Sequence, residues 1–360
     1  MTEHGPMGIQ RNSQAFIIFF SAFLLFAAPQ FLRPVSTRGE AREAIVAQAM
    51  LQQHSFILPL RNASDIPSKP PMLHWLIVLA SKCCGALNSF SIRLPSALLG
   101  ASLLGFFFNF LCTIANSRRA LLSTLILGSA FEWFRSSTHA RVDMCFTFGI
   151  TIALFALFNV VERWQKKAGI DYRQLIIAAF AAAFAALSKG PTGIVIIMGI
   201  SVGYLLISLE TPRLHQVARL PWLALLSALG LATLIAGSWY YLAYELHGSE
   251  FLTVQLLKEN VGRLVEIEGD NRGHEHPFFF SLFFLLAAFL PWSLLLPTSI
   301  LSLWKNRQQY LQCDQGFFVF AVIWVLVFIV LVSFSVSKRV VYFLPALPPL
   351  AYLTTLALET

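Results

Sequence analysis

Apolar runs recur along the whole chain, and most of them approach the length of a bilayer crossing. A helix needs about 20 predominantly apolar residues to span the hydrocarbon core. The pattern therefore predicts an all-α, polytopic transmembrane helical bundle with about ten or eleven spans. The apolar segments are residues 15–32, 72–87, 95–115, 120–138, 142–161, 174–187, 190–208, 220–243, 278–301, 317–336 and 340–357.

Two polar stretches interrupt this pattern, at residues 33–71 and 244–277, and we interpret both as large external loops. Basic pairs such as Arg118-Arg119 and Lys166-Lys167 are typical of cytoplasmic turns, because Lys and Arg concentrate on that side. Segments 72–87 and 95–115 both lie between the first outer loop and Arg118, which is predicted to be cytoplasmic. Two crossings would return the chain to the outer side, so either one segment does not cross or one charge pair misleads. The short segment 72–87 is the one we suspect.

The first loop contains a predicted helix of its own, from Glu40 to Gln53. Ala, Glu, Gln, Leu and Met favour helix, and the apolar residues at 44, 47, 50 and 51 share one face. Pro67 and Pro70-Pro71 follow it and predict a break in the helix. The stretch is expected to be an amphipathic helix lying on the membrane surface.

Composition supports a membrane protein and excludes a soluble one. Hydrophobic residues make up 57% of the 360, charged residues 12%, and the mean hydropathy is +0.68. The net charge of +8 fits the topology of cytoplasmic loops and does not indicate nucleic acid as a partner. We predict a single membrane domain over residues 1–360, with a retained signal anchor and no soluble C-terminal region.

Charged groups are costly in so apolar a chain, so each is a candidate functional residue. Four clusters stand out, and each has a simpler alternative: pairing within the cluster or contact with lipid headgroups. Taken together they place several cations and at least one carboxylate at one predicted face, which favours a phosphorylated lipid as ligand. The clusters are Arg38-Gly39-Glu40-Ala41-Arg42-Glu43, Ser68-Lys69-Pro70-Pro71 with His74, Arg141-Val142-Asp143 and Ser188-Lys189-Gly190-Pro191.

At these residues the sequence resembles the GT-C glycosyltransferases that use polyprenyl-phosphate-linked sugars. It is similar to the branch that contains protein O-mannosyltransferases and lipid A aminoarabinose transferases. The resemblance covers nearly the whole chain, in order. The stretches that carry it are RGEAREAIVAQAML, ILPLRNASDIPSKPPMLHWL, SIRLPSAL, ARVDMCFTF, ALSKGPTGIVI, WYYLAYELHGSEFLTVQLLKENVGRL, HPFFFSLFFLLAAFLPWSLLLP and SFSVSKRVVYFLPALPPLA.

The resemblance implies an inverting glycosyltransferase that moves a sugar from a polyprenyl (undecaprenyl) phosphate to a lipid, glycan or protein acceptor. It also implies the bacterial inner membrane, with the active site facing the periplasm. Two positions depart from the family: Gly39 stands where the family has a motif Asp, and Ser68 replaces the Glu of its Glu-Lys-Pro-Pro motif.

Cations at the departing phosphate would stabilise the transition state. We assign this role to Lys69, Lys189 and Arg263, with Arg42 orienting its helix or sharing the phosphate. These assignments rest on the resemblance and on the rarity of charge in the chain.

An acceptor hydroxyl would need a general base within hydrogen-bond reach. Glu40 is the first candidate and Asp143 the second, while Glu43, His74 and His276 are expected to contact donor or acceptor. No cofactor is expected. The His274-Glu275-His276 stretch lacks a third ligand at metal-binding spacing, so we assign no metal.

Two other classes of function remain open at this stage. Intramembrane charges and short Gly/Pro-broken segments such as 174–208 are also features of transporters and lipid flippases. Against a transporter, the two halves show no internal repeat. A non-catalytic lipid-phosphate-binding homologue is the other alternative, because Gly39 and Ser68 have replaced two acids.

Overall fold

The computed structural model describes residues 6–62, 65–207, 221–258, 277–311, 314–335 and 337–359, which fold almost entirely as helices. In that part of the chain no strand forms, and Arg61 and Asp65 make an isolated bridge. The all-α prediction is confirmed. The α-helices are α1 (Pro6–Ala27), α2 (Arg38–Gln53), α3 (Met72–Cys84), α4 (Ser89–Ile114), α5 (Ser117–Ser129), α6 (Phe131–Ser137), α7 (Val142–Gln165), α8 (Tyr172–Lys189), α9 (Thr192–Ile207), α10 (Trp222–Leu252), α11 (Phe280–Ala288), α12 (Leu296–Lys305), α13 (Arg307–Leu311), α14 (Phe317–Phe334) and α15 (Leu347–Leu358).

Short 3-10 and π segments extend several of these helices. They redirect the chain at helix ends, where such turns are common. The 3-10 segments are Ala28–Phe31, Trp292–Leu295, Asp314–Gly316 and Val340–Ala346, and the π segment is Thr253–Lys258.

Fewer helices could cross a membrane than the apolar pattern predicts. Within the described residues six helices are long and apolar enough, or seven if the pair Phe280–Ala288 and Trp292–Lys305, bent by 116°, counts as one span. The sequence predicted ten or eleven. The difference arises because several apolar runs form short or broken helices: α3 and α9 are short, and the 120–138 run is divided at Ala130, whose ψ of 135° is extended.

Helix α3 does not cross the bundle, which confirms the suspicion about segment 72–87. Its 13 residues span only about 20 Å at 1.5 Å per residue, less than the hydrocarbon core. Near its C-terminus, Ser81 Oγ donates to Ser91 Oγ at 3.3 Å, in the first turn of α4. Arg93, also in that turn, donates to the backbone oxygen of Arg33, which follows the first span. The start of α4 therefore lies at the same end of the bundle as the first loop.

The predicted amphipathic helix is α2, which begins two residues before the predicted start. Thr37 caps it by accepting a hydrogen bond from the Glu40 N–H at 3.3 Å, and His54 ends it with a left-handed φ of 52°. On its apolar face Ala47 and Met50 are fully buried in a small core with α3, and Ala44 and Leu51 pack against that core partly buried. The helix is therefore packed on protein along that face.

The second polar stretch is more helical than a loop. Helix α10 runs through residue 244 to Leu252, and the π segment continues to Lys258. A break at Gly248, with φ 61° and ψ −147°, redirects the chain without ending the helical run. Only a residue without a Cβ adopts this conformation readily. The predicted loop continues to residue 277, but residues 259–276 lie outside the part of the chain that the structure describes.

At Gly149 the backbones of helices α7 and α8 approach so closely that an added side chain would not fit between them. A Cβ at Gly149 would lie 2.7 Å from both the Ala181 oxygen and the Ala185 nitrogen. Small residues at such contacts let helix backbones approach within a membrane. Because Asp143 lies on α7 and Lys189 on α8, this contact sets the distance between two charged residues near the helix ends.

We predict that Gly149→Ala lowers the apparent unfolding temperature of the purified protein in detergent. Overpacking of this kind costs about 1–3 kcal/mol. The matched control is Gly230→Ala on α10, where an added Cβ meets no atom within 4 Å. That variant should be unchanged or slightly more stable, because Ala is the better helix former by about 1 kcal/mol. Equal shifts in the two variants would contradict the role given to the close contact.

Candidate functional site

One end of the bundle gathers most of the charged residues that the sequence singled out. Helix α2, the segment before α3, the start of α7, the end of α8 and the 3-10 segment Val340–Ala346 all contribute to it. The basic residues predicted to be cytoplasmic behave differently: Arg119 binds Asp314 and Glu359 at 2.6 Å each, beside the far ends of the spans.

Lys189 lies at the centre of this region, as the last residue of α8. Gly190 ends the helix with a φ of 97°. The Lys189 ammonium donates to Asp143 Oδ1 at 2.6 Å, and it lies 4.3 Å from the centre of the Tyr342 ring. The Phe146 ring is 5.2 Å away on another side. Two rings and a carboxylate thus hold the cation in one position.

Asp143 is surrounded by more cations than it can neutralise. It is buried in the first turn of α7, where the helix dipole favours a negative charge. The charges of Lys69 and Arg141 act on it in addition to that of Lys189. The Nε of Arg141 is buried and has no hydrogen-bond partner among the described residues. This excess of positive charge makes the region a candidate site for an anion.

The segment that carries Lys69 is held by three contacts from neighbouring helices. Gln255, in the π segment, donates to the Pro67 carbonyl. The indole nitrogens of Trp75 and Trp239 donate to the carbonyls of Phe56 and Ile57, at 2.7 and 2.8 Å. The loop that precedes Lys69 is therefore fixed to α3 and α10, and the lysine itself is buried.

Glu40 is fully buried, and both its oxygens are occupied. Arg93 donates to Oε1 at 2.7 Å and to Oε2 at 3.1 Å, and the Ala140 N–H donates to Oε1 at 3.1 Å. Arg93 also donates to the carbonyls of Arg33 and Pro34, at 2.7 and 2.9 Å. Burial alone would raise the pKa of Glu40, but the hydrogen bonds from Arg93 and Ala140 and the charge of Arg93 outweigh it and lower the pKa.

This geometry argues against Glu40 as the general base. A base must reach the proton that it removes. The Glu40 carboxylate is 0% exposed and already accepts hydrogen bonds from two directions, so a substrate hydroxyl has no access to it. Glu40 instead joins α2 to α4 and to the turn before α7. Asp143, the second predicted acid, is 7% exposed and pairs with Lys189 through Oδ1.

Arg42, Glu43 and His74 form one connected group. Arg42 donates to Glu43 Oε1 through Nε at 3.0 Å and Nη2 at 2.7 Å, and His74 Nε2 lies 2.7 Å from Glu43 Oε2. The predicted contact of Glu43 and His74 with donor or acceptor does not fit their burial, since they are 4% and 1% exposed. Burial opposes ionisation of Glu43, but His74 and Arg42 together lower its pKa to about 2.

Two charged residues of this end were missed as site residues. Arg93 is 2% exposed and Lys338 is 3% exposed. Burial lowers the pKa of Lys338, whose ammonium donates to the Ser335 carbonyl. Both residues lie in stretches that carry the family resemblance. The signal that could have identified Arg93 is a lone charge inside an apolar run, the criterion applied to the other clusters.

Two predicted site residues, Arg263 and His276, lie outside the described part of the chain, together with the His274-Glu275-His276 stretch. Within the described ranges, no group of three or more His, Cys, Asp or Glu side chains could hold a metal ion. The chemistry assembled at this end therefore consists of ammonium, guanidinium, carboxylate and imidazole groups.

Comparison with known proteins confirms the predicted resemblance. A family model described as dolichyl-phosphate-mannose-protein mannosyltransferase matches residues 68–239. The chain is 30% identical to an uncharacterised protein of Aquifex aeolicus, covering 88% of this chain and 58% of that protein. It is 27% identical to an undecaprenyl phosphate-α-4-amino-4-deoxy-L-arabinose arabinosyl transferase of Pseudomonas aeruginosa, covering 94% of this chain and 59% of that protein. The chain thus spans less than two thirds of these relatives' length.

Solved structures confirm the GT-C type of fold. The crystal structure of ArnT from Cupriavidus metallidurans bound to undecaprenyl phosphate superimposes with a TM-score of 0.76 at 22% identity, covering 99% of this chain and 61% of that one. The archaeal oligosaccharyltransferase AglB from Archaeoglobus fulgidus superimposes with a TM-score of 0.61 at 15% identity, covering 96% of this chain and 50% of that one.

We predict that Glu43 contributes stability that acid removes. Its carboxyl pKa is lowered from 4.5 to about 2, so the contribution is fully present above the unfolded value and is lost as the pH falls through the folded one. The unfolding temperature of wild-type protein in detergent should exceed that of Glu43→Gln by the largest margin at about pH 7. The margin should narrow below about pH 4.5. A margin independent of pH would show that the carboxylate charge contributes nothing.

Proposed function

We propose that this relative of the polyprenyl-phosphate-dependent enzymes is itself a membrane glycosyltransferase. It would transfer a sugar from a polyprenyl phosphate, such as undecaprenyl phosphate, to a lipid, glycan or protein acceptor, with inversion at the anomeric carbon. The reaction would take place at the outer face of the bacterial inner membrane. The similarity to a named arabinosyl transferase over 94% of the chain supports the proposal.

The excess of cations around Asp143 is the observation that carries the proposal. Lys69, Arg141 and Lys189 all act on this one carboxylate, at the end of an otherwise apolar bundle. Holding that charge near the membrane is costly, and a bound anion would offset the cost. A lipid phosphate fits, because its acyl or isoprenoid tail can stay in the bilayer while its headgroup reaches the cations.

In the proposed reaction, the acceptor attacks the anomeric carbon in line as the bond from that carbon to the phosphate oxygen breaks. Negative charge grows on the departing phosphate, so fixed cations bind the transition state more tightly than the substrate. Lys69 and Lys189 are proposed to make these contacts, together with Arg42 from α2. Arg263 keeps its predicted role in the same step, although it lies outside the described residues.

Proton removal from an acceptor hydroxyl would be the task of Asp143. Its pairing with Lys189 keeps it ionised and ready to accept a proton. An acceptor that is itself a phosphate would need no strong base, because it is already anionic near neutral pH. The replacement of two family acids by Gly39 and Ser68 is consistent with an acceptor of that kind.

We predict that Lys69→Ala and Lys189→Ala each reduce transfer by at least about 100-fold, the loss typical when one preorganised group at a developing charge is removed. The assay is transfer of labelled sugar from its undecaprenyl phosphate by purified protein in detergent. Lys305→Ala is the matched control, because that lysine is exposed at the end of α12 and should be dispensable. Near-wild-type turnover in either site variant would overturn the assignment.

The same assay separates the proposed enzyme from its two rivals. Product formed by the wild-type protein excludes a pure transporter or flippase. Tight binding of the lipid-linked sugar without turnover would instead identify a non-catalytic homologue and refute the proposed activity. Transport would be detected as movement of the lipid between leaflets of a vesicle with no chemical change.

We also predict that substitutions of the two acids, Asp143 and Glu40, have different effects. With a hydroxyl acceptor, Asp143→Asn should lower turnover by about 100-fold or more while the protein remains folded, since general-base catalysis contributes about 10²–10⁴. Glu40→Gln should lower the unfolding temperature, because it disturbs a buried ion pair. The folded fraction of Glu40→Gln should retain most of its turnover. If the Glu40→Gln variant is fully stable and still loses its turnover, Glu40 and not Asp143 is the general base.

A further inference from the structure

The pairing of Arg42 with Glu43 is unusual because the two residues are consecutive in a helix. Consecutive side chains on a helix point in directions about 100° apart and do not normally face each other. Nevertheless, two guanidinium nitrogens of Arg42 contact one oxygen of Glu43, at 3.0 and 2.7 Å. A second contact must therefore hold the Glu43 carboxylate in a position that the Arg42 guanidinium can reach.

His74 supplies that hold from a different helix. Its Nε2 lies 2.7 Å from Glu43 Oε2, the oxygen that Arg42 leaves free. The pKa of Glu43, near 2, makes its carboxylate a pure acceptor, so Nε2 carries the hydrogen of this bond. One carboxylate oxygen of Glu43 therefore pairs with His74 on α3, and the other pairs with Arg42, the preceding residue.

The position of His74 gives the contact a wider effect. His74 lies in the first turn of α3, which begins directly after Lys69-Pro70-Pro71. One buried hydrogen bond thus connects the residue beside Arg42 with the turn that follows Lys69. The Arg42 side chain remains 41% exposed, whereas the side chains of Glu43 and His74 are 5% and 1% exposed. The outer edge of the guanidinium is the part of this group that a ligand can reach.

We propose that Glu43 and His74 are positioning residues, which hold the Arg42 guanidinium in place relative to Lys69 so that both cations meet one lipid phosphate. This inference rests on the proposed function, and it replaces the predicted direct contact of Glu43 and His74 with substrate. Arg carries considerable rotamer entropy, and fixing it before the ligand arrives removes that cost from binding.

The test is a double-mutant cycle on the dissociation constant for undecaprenyl phosphate in detergent micelles. His74→Leu removes the donor at similar volume and should weaken binding about tenfold when Arg42 is present. In an Arg42→Ala background the same change should alter binding less than about twofold, because no guanidinium remains to be positioned. His74→Gln, which can still donate a hydrogen bond to Glu43, should bind undecaprenyl phosphate as tightly as the wild-type protein does.

Two controls and one replacement variant keep the outcome specific. Undecaprenol, which lacks the phosphate, should bind all variants alike. Ile77→Val removes a methyl group from a fully buried position on α3 and should leave the dissociation constant unchanged. If His74→Leu does not yield folded protein, His74→Asn takes its place, because its amide is too short to reach Glu43.

Each result decides a separate point. An equal effect of His74→Leu with and without Arg42 would overturn the positioning role and leave a general structural one. An unchanged dissociation constant in His74→Leu would overturn it as well. If Arg42→Ala binds as tightly as wild type, Arg42 is no phosphate ligand and the inference fails, while the proposed function can still stand on the two lysines. Failure of wild-type protein to bind the phosphorylated lipid overturns the proposed function and the inference together.

Discussion

The buried pair of Arg93 and Glu40 is the interaction on which the site depends. Arg93 alone joins the first span's exit, helix α2 and its own helix α4, through two carbonyls and a carboxylate. Glu40 extends the connection to Ala140, directly before α7. A buried ion pair of this kind costs about as much in desolvation as it returns, but leaving one member alone costs about 3–5 kcal/mol. Loss of either residue alone is therefore strongly destabilising, and the intact pair holds the surrounding backbone in one arrangement.

The charged groups of the site form a graded series from structural to accessible. Glu40 is completely enclosed and Glu43 nearly so, whereas the Lys189 side chain is partly exposed and the Arg42 side chain is more exposed. Each accessible cation is held by an acid that is less accessible than itself. Such an arrangement resembles the support of metal ligands by outer hydrogen bonds, where the outer groups decide how well the inner ones are oriented. Here the inner groups are cations and the expected ligand is an anion.

Sequence patterns predicted the helical class, the amphipathic helix and the group of charges, because each depends on local periodicity or on the high cost of charge in an apolar chain. Six or seven helices of the described residues are long and apolar enough to cross, fewer than predicted, since the extended ψ that divides the 120–138 run at Ala130 is not visible in hydropathy. The burial of Glu40 was not predicted either. Its partner Arg93 lies 53 residues away in sequence, and only the folded chain shows that the two carboxylate oxygens are already used.

The contact of Lys189 with Tyr342 has a consequence for how the protein is made. A chain inserted into a membrane from its N-terminus places α8 there long before the segment Val340–Ala346 emerges. Until then Lys189 can pair with Asp143 but lacks the aromatic face that covers it at 4.3 Å. The return of this later segment to α8 is therefore the step that covers Lys189 with the Tyr342 ring. A nascent chain halted before that point would expose Lys189 on the side that Tyr342 later covers.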